Sequence, residues 1–335
     1  MAYASRQGNY IVGSLGAAVQ VLSGWWDVYS HLQLGPVDPW WNPAHLTLYA
    51  GIALTFLSIW RGLRTHRTPP PTNLIPIRFE NLAGLKLAAV GTVVEFVAGV
   101  WNEIVHHVFQ SEPRIAPAHA LLTVGMLIVA SGMIIGLSIE YGMMKHRILV
   151  ASTFKRTLTL GCVVLTFASI WLAAGGALIY LARVFRVSPY NWINAVLLAV
   201  ICTVVLVPAK RVLPEFGAAL AVGIIFNAVC YFFLVAYAGE TPYIPWGLLP
   251  MALFDVLILG LKRVMSMIRA GLVSSVVIGF FFWVTYFPFS LYLFPWSSSS
   301  QLSLAAVVLG SLAGAFLGNL TYAGLTSAVL GDVTG

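Results

Sequence analysis

Residues 118–140 read AHALLTVGMLIVASGMIIGLSIE, an apolar run whose only formally charged residue is Glu140 at its end. A helix of this length is about 35 Å long, which is enough to cross the hydrocarbon core of a bilayer. Comparable runs recur along all 335 residues, of which 59% are hydrophobic and 9% are charged. Membrane-spanning segments are helices or closed barrels, and the alternating pattern of barrel strands is absent from this sequence. The sequence therefore predicts an all-α membrane protein.

Ten runs of this kind predict about ten transmembrane helices. We expect these helices over residues 10–31, 45–62, 84–108, 118–140, 157–181, 191–208, 215–238, 246–261, 271–293 and 301–330. Connections rich in Lys and Arg, such as the one that contains Lys210, stay in the cytoplasm, so their positions predict a cell-membrane protein with both termini cytoplasmic. The net charge of +7 follows from these connections. It predicts contact with the lipid bilayer and gives no indication of nucleic-acid binding.

The first half of the chain contains a repeat. The segment GWWDVYSH at 24–31 returns as GVWNEIVH at 99–106, and NPAH at 42–45 returns as APAH at 116–119. Matching residues are 75 positions apart in the first segment and 74 apart in the second. Each copy predicts a helix that rises to the outer face, a loop and a returning helix, so the two copies have parallel topology. All seven histidines precede residue 150, where we place the boundary between a domain of residues 1–150 and one of residues 151–335.

The first copy carries residues that can bind a metal ion. Asp27 and His31 are four residues apart, so on a helix their side chains lie on one face, about one turn apart. Three prolines between residues 36 and 43 prevent this helix from continuing, and the chain re-enters the membrane near His45. One carboxylate and two imidazoles suit zinc, copper or ferrous iron. The sequence thus predicts a metal site of Asp27, His31 and His45 toward the outer face of the membrane.

The second copy predicts a second, altered site made of Asn102, His106 and His119. Asn102 stands where the first copy has a carboxylate, so this site carries less negative charge and a weaker ligand. The alternative interpretation of both sets is that polar residues at span ends meet water or lipid headgroups. His66 and His146 lie among basic residues in predicted cytoplasmic connections, where we expect them to be solvated.

Three further sets of residues have predicted roles. Five tryptophans near the repeated segments predict an interfacial aromatic belt: Trp25, Trp26, Trp40, Trp41 and Trp101. The three cysteines have no paired spacing and are predicted to be small buried hydrophobes: Cys162, Cys202 and Cys230. Glu95 lies deep in its predicted span, where either a buried hydrogen-bonded acid or a proton path would explain a carboxyl group.

The two histidine patterns together resemble the C subunit of the copper membrane monooxygenases, the family of particulate methane and ammonia monooxygenases. The resemblance covers residues 10–145. It implies an Asp-His-His copper site made of Asp27, His31 and His45, and a neighbouring Asn-His-His site made of Asn102, His106 and His119.

Residues 215–330 resemble, more weakly, the A subunit of the same enzymes. The likeness rests on PYIPWGLLPMALFDVLILGLKR at 242–263, where Asp255 takes the place of an intramembrane aspartate. The chain would then be a natural fusion of C-like and A-like parts. Alternatively, residues 151–335 are a helical scaffold in which a neighbouring helix satisfies Asp255.

The resemblance implies a copper-dependent oxidoreductase that uses dioxygen on a small substrate, with Asp27, His31 and His45 as catalytic copper ligands and a quinol as electron source. It also implies partners, either cupredoxin-bearing or other membrane subunits, or a homo-oligomer. Two alternatives stay open. An intramembrane zinc hydrolase would activate water with Glu103 as base, and a non-catalytic membrane protein would bind or transport the metal.

Overall fold

The structure is a computed structural model, and it describes residues 2–34, 41–65, 82–109, 117–145, 152–184, 192–233, 248–293 and 300–330. These residues form ten α-helices and no strand, which confirms the all-α prediction. The helices are α1 (Ala2–Leu34), α2 (Pro43–Thr65), α3 (Leu82–Phe109), α4 (Pro117–Lys145), α5 (Thr153–Val184), α6 (Trp192–Val212), α7 (Ala218–Tyr231), α8 (Leu248–Leu261), α9 (Met267–Leu293) and α10 (Ser300–Leu330).

Each predicted span overlaps one of these helices within the described residues, and half of the helices contain a stretch long and apolar enough to cross a membrane. Within the described residues, these five stretches are Pro43–Thr65, Leu82–Val105, Pro117–Lys145, Thr153–Ala177 and Leu304–Ala323. Shorter apolar helices cover Ala218–Tyr231, Leu248–Leu261 and Met267–Phe281. Several spans of this length and composition are what a helical membrane protein requires.

The chain divides into two compact units, one of Met1–Ala173 with Leu325–Gly335 and one of Ala174–Gly324. In the first unit α1 packs on α2, α2 on α3, α3 on α4 and α4 on α1. These four helices therefore form a closed bundle. The predicted boundary near residue 150 stays a prediction.

The contact between α1 and α2 is built on small residues. A Cβ added to Gly51 in α2 would lie 3.0 Å from the carbonyl oxygen of Gly16 and 2.9 Å from Cγ of Gln20. Cβ atoms rarely come this close to a neighbour, so the two backbones approach as closely as only glycine allows. Gln20 Nε2 donates a hydrogen bond to Thr55 Oγ1 at 3.0 Å, which gives the buried amide a partner inside the bundle.

The contact between α3 and α4 uses the corresponding positions. A Cβ added to Gly125 would lie 3.1 Å from the carbonyl oxygen of Gly91 and 2.6 Å from Cγ of Glu95. Gly91 and Glu95 stand 75 residues after their counterparts in α1, and Gly125 stands 74 residues after its counterpart in α2. These offsets are the same as those that relate the histidine-bearing segments.

Polar contacts join α5 to α1 within the first unit. Gln7 Nε2 donates to Thr159 Oγ1 at 2.6 Å, and Trp25 Nε1 donates to the carbonyl oxygen of Leu172 at 3.0 Å. Trp25 is only 6% exposed, so its prediction as part of an interfacial belt is wrong: its indole packs between helices, where its N–H finds a partner. Trp40 lies outside the described residues.

A buried ion pair organises part of the second unit. Asp255 in α8 pairs with Lys210 at the end of α6, and both side chains are fully buried. Asp255 Oδ2 also accepts a hydrogen bond from the backbone N–H of Leu220 at 2.9 Å, in the first turn of α7. The first N–H groups of a helix have no intrahelical partner, so a carboxylate is stabilised there. The scaffold alternative predicted that a neighbouring helix satisfies Asp255, and these contacts do so. Lys210, which the sequence placed in a cytoplasmic connection, is buried instead.

The three cysteines follow the prediction. Within the described residues, Cys162, Cys202 and Cys230 are buried and form no disulfide. They behave as small hydrophobes in the helix contacts.

Candidate metal centre

The first residue of α2 is fixed by a helix cap. Asn42 Oδ1 accepts a hydrogen bond from the backbone N–H of Ala44 at 3.0 Å, and the Asn42 carbonyl accepts the first helical bond from Leu46. Pro43, directly after the cap, has the φ angle that a helix needs and no N–H group to satisfy. The NPAH sequence therefore begins a helix at a defined residue and sets His45 in its first turn.

Asp27 from α1 and His45 from α2 meet at this end of the bundle. The His45 Nε2 atom lies 2.8 Å from Asp27 Oδ1. Both residues are buried, with 6% of Asp27 and 4% of His45 exposed. A carboxylate oxygen and an imidazole nitrogen at this distance are held together either by a proton that lies between them or by a metal ion that both atoms bind. The structure thus joins two of the three residues that the sequence assigned to the first site.

A third helix brings a carboxylate close to this contact. Tyr49 lies one turn after His45 in α2, with its ring centroid 6.3 Å from the imidazole centroid. Its hydroxyl donates a hydrogen bond to Glu103 Oε1 at 2.7 Å, and it lies within electrostatic range of Asp27. Glu103 belongs to α3, so a residue of the second repeated segment reaches the surroundings of the first site.

The residues assigned to the second site lie on the α3–α4 pair. Asn102 in α3 is 8% exposed, and His119 is the third residue of α4, as His45 is the third residue of α2. His119 is partly exposed, and its carbonyl accepts a hydrogen bond from Thr123 Oγ1 at 2.9 Å.

The remaining two predicted ligands, His31 and His106, belong to α1 and α3. Their side chains lie outside the part of the structure that is described. Among the described side chains, no three of the types His, Cys, Asp and Glu come together as a metal site.

The Asp27–His45 pair can be tested for its fit to a metal ion. Zinc and copper hold oxygen and nitrogen ligands at about 2.0–2.2 Å, so two ligands at a square or tetrahedral angle are about 2.8–3.6 Å apart. The observed separation of 2.8 Å lies at the short end of this range. The third ligand that the sequence predicts is His31, four residues after Asp27 in α1. The donor set and the spacing fit a small transition-metal ion.

Sequence reasoning missed Tyr49 and gave Glu103 a role only in the hydrolase alternative. The available signal for Tyr49 was its position four residues after His45, which places both side chains on one face of α2. No signal in the sequence connects Tyr49 with Glu103, because that contact depends on how α2 packs against α3.

The chain matches no known family model, no curated protein and no solved structure. Its function is therefore inferred from the geometry and chemistry of the site itself.

Proposed function

We propose that this chain is an integral membrane protein that binds copper at Asp27, His31 and His45 and acts as an oxidoreductase. The observation that carries the proposal is the buried contact of 2.8 Å between Asp27 Oδ1 and His45 Nε2. Asp27 and His45 lie on α1 and α2, the two helices for which the sequence pattern predicted the site. Because both side chains are buried, water does not compete with them for a bound ion. A carboxylate with two imidazoles is a donor set that copper accepts.

We also propose that α1–α2 and α3–α4 are two copies of one unit, with Asn102, His106 and His119 as the altered second site. The glycine contacts at Gly51 and Gly125 support this, because the neighbouring atoms belong to corresponding positions in both pairs. The closed order of contacts, α1 to α2 to α3 to α4 and back to α1, also supports it. A pseudo-twofold axis along the membrane normal generates this order.

The proposed topology has ten membrane-embedded helices, cytoplasmic termini and both metal sites toward the outer face. The basic residues at the ends of α2, α4 and α6 support this orientation, since Arg64, Lys145 and Arg211 all lie in the last turn of a helix that returns from the outer side.

In the proposed activity, bound copper supplies the redox chemistry, and it would use dioxygen to oxidise a small substrate. The residues of the chain hold and orient the ion and keep the site dry. Asp27 neutralises part of the charge of the ion, which makes its burial less costly. Tyr49 and Glu103 form a hydrogen-bonded pair one turn from His45, where they can accept or release a proton beside the site. Electrons would come from a quinol, and cupredoxin-bearing or other membrane subunits, or further copies of this chain, would complete the assembly.

One contact favours a second function, that of an intramembrane zinc hydrolase. Glu103 accepts a hydrogen bond from Tyr49 at 2.7 Å, which sets a carboxylate on the same side of α2 as His45. A hydrolase needs such a group as a general base beside a zinc ion that activates water. A metal-binding protein without catalysis would use the same ligands and need neither Glu103 nor a reductant.

The identity of the bound metal separates these functions. We would purify the protein in mild detergent and compare the metal content of the wild type, His45→Ala and His119→Ala. His66→Ala is the matched control, because it removes an imidazole from a predicted cytoplasmic connection. We expect about one or two copper ions per chain, with one lost in His45→Ala and none lost in the control. Zinc in place of copper would favour the hydrolase, and absence of metal from every reconstituted sample would overturn both proposals.

A further inference from the structure

Glu95 is a buried acid in the middle of α3. Its side chain is 0% exposed, and within the described residues neither carboxyl oxygen has a hydrogen-bond partner. Buried polar groups in proteins nearly always have a partner, and a group without one points to a function or to a bound water. Ionisable side chains inside membrane segments point to function for the same reason.

The counterpart of Glu95 in the first helix pair, Gln20, has a hydrogen-bond partner for its amide nitrogen, whereas its Oε1 has none within the described residues. Gln20, 75 residues earlier, donates a hydrogen bond to Thr55 Oγ1 at 3.0 Å. The residue 74 positions after Thr55 is Val129, whose side chain can neither donate nor accept a hydrogen bond. Compared with the first pair, the second pair has an acid in place of the amide and lacks the hydroxyl that would satisfy it. Among the described residues, the second pair therefore has an ionisable side chain without a hydrogen-bond partner at the position where the first pair has an amide with one.

Packing is unequal on the two sides of Glu95. On one side α3 and α4 are in backbone contact, since a Cβ added to Gly91 would lie 2.7 Å from the backbone nitrogen of Val129. No water fits between helices at that distance. On the other side, a Cβ added to Gly99 would meet nothing within 4 Å. Asn102 follows on the same face of α3 as Glu95, two turns and about 10 Å further along the axis.

We propose that Glu95 is a proton-exchange site that communicates with water through the end of the α3–α4 pair that carries Asn102. The ligand is a proton, which passes from the carboxyl group to a water molecule and returns by the same route. Ala98, which is small and fully buried, lies between Glu95 and Asn102 in α3. In the proposed route a water molecule on this face of α3 has both polar side chains as hydrogen-bond partners. Glu95 is not one of the proposed metal ligands, so the proton on its carboxyl group can be tested whether or not copper binds at Asp27.

Infrared spectroscopy tests the proton on Glu95 directly. The sample is the full chain in a detergent without ester groups, so that only carboxylic acids absorb in the protonated-carboxyl region. The wild-type spectrum minus that of Glu95→Gln should contain one protonated-carboxyl band, and this band should shift when H₂O is replaced by D₂O. Absence of the band would overturn the proposal, and so would a band that keeps its position in D₂O for hours. If Glu95→Gln does not fold, Glu95→Asp serves instead, because it moves the band without removing it.

The route is tested by two matched variants on the same face of α3. Asn102→Leu and Thr92→Val each replace a polar side chain with an apolar one of similar size, on opposite sides of Glu95. We expect Asn102→Leu to slow the deuterium shift about tenfold, the factor that one lost hydrogen bond along the route would produce. We expect Thr92→Val to leave the rate unchanged. Equal effects of the two variants, or slowing by Thr92→Val alone, would overturn the proposed direction.

The missing hydroxyl gives a third test. Val129→Thr restores to the second pair the group that Gln20 uses in the first pair. We expect the Glu95 band to move to lower frequency in this variant, because its carboxyl group acquires a hydrogen-bond partner. An unchanged band position would mean that Glu95 already has a partner, and the premise of an unsatisfied acid would be wrong.

Discussion

The replacement of Gly91 by Ala should weaken the α3–α4 contact by an amount that follows from the geometry. The new Cβ would lie 2.7 Å from the backbone nitrogen of Val129 and 2.8 Å from the carbonyl oxygen of Gly125, whereas ordinary contacts begin at 3.4 Å. Neither neighbour is a flexible side chain, so the helices would have to separate by about 0.7 Å. Overpacking of this kind typically costs about 1–3 kcal/mol.

The same helix provides the control. Gly99→Ala makes the same chemical change, but its Cβ would meet nothing within 4 Å. Both variants gain about 1 kcal/mol from the higher helix propensity of Ala. That gain cancels in the comparison, so Gly91→Ala should be less stable than Gly99→Ala by about 1–3 kcal/mol. Reversible unfolding in mixed micelles with an increasing fraction of sodium dodecyl sulfate, followed by tryptophan fluorescence, measures the difference. Equal midpoints for the two variants would refute the close backbone contact and the glycine-based design of the bundle.

Two further predictions concern the polar contacts inside the helix bundles. Lys210→Met leaves the buried Asp255 carboxylate without its cation, so in the same unfolding assay it should lower the free energy of unfolding by about 3–5 kcal/mol. The double variant Lys210→Met/Asp255→Leu should recover most of this loss. A Lys210→Met variant as stable as the wild type would contradict the buried pair. Tyr49→Phe removes the hydrogen bond to Glu103 and should cost about 1–2 kcal/mol, because both groups are only partly buried. If Tyr49→Phe is as destabilising in a Glu103→Leu background, which has no acceptor for the hydroxyl, as in the wild type, the two residues do not interact.

The helices and their approximate bounds could be predicted from the sequence. In the bilayer there is no water to hydrogen-bond with the backbone, so a long apolar run must form its backbone hydrogen bonds within a helix. Hydropathy alone therefore locates the helices. The contact between Asp27 and His45 was also predictable, because the proline-rich connection and the NPAH cap force the chain to turn back at a defined residue.

The partners of individual side chains could not be predicted in the same way. Hydropathy does not distinguish a helix face that meets lipid from one that meets another helix, which is why Trp25 was assigned to the membrane interface although it is buried against α5. The pairing of Lys210 with Asp255 joins α6 to α8, and the bond from Tyr49 to Glu103 joins α2 to α3. Such contacts depend on the packing of helices that are distant in the sequence.

The most direct test of the copper site is the electron paramagnetic resonance spectrum of the protein loaded with one equivalent of Cu(II). If Asp27, His31 and His45 hold the ion, the wild-type spectrum should show hyperfine coupling to two imidazole nitrogens. His45→Ala should lose one of these nitrogens or the bound copper, while His119→Ala should keep the wild-type signal. A wild-type spectrum without nitrogen coupling, or one that is unchanged in His45→Ala, would contradict a copper site at the Asp27–His45 contact.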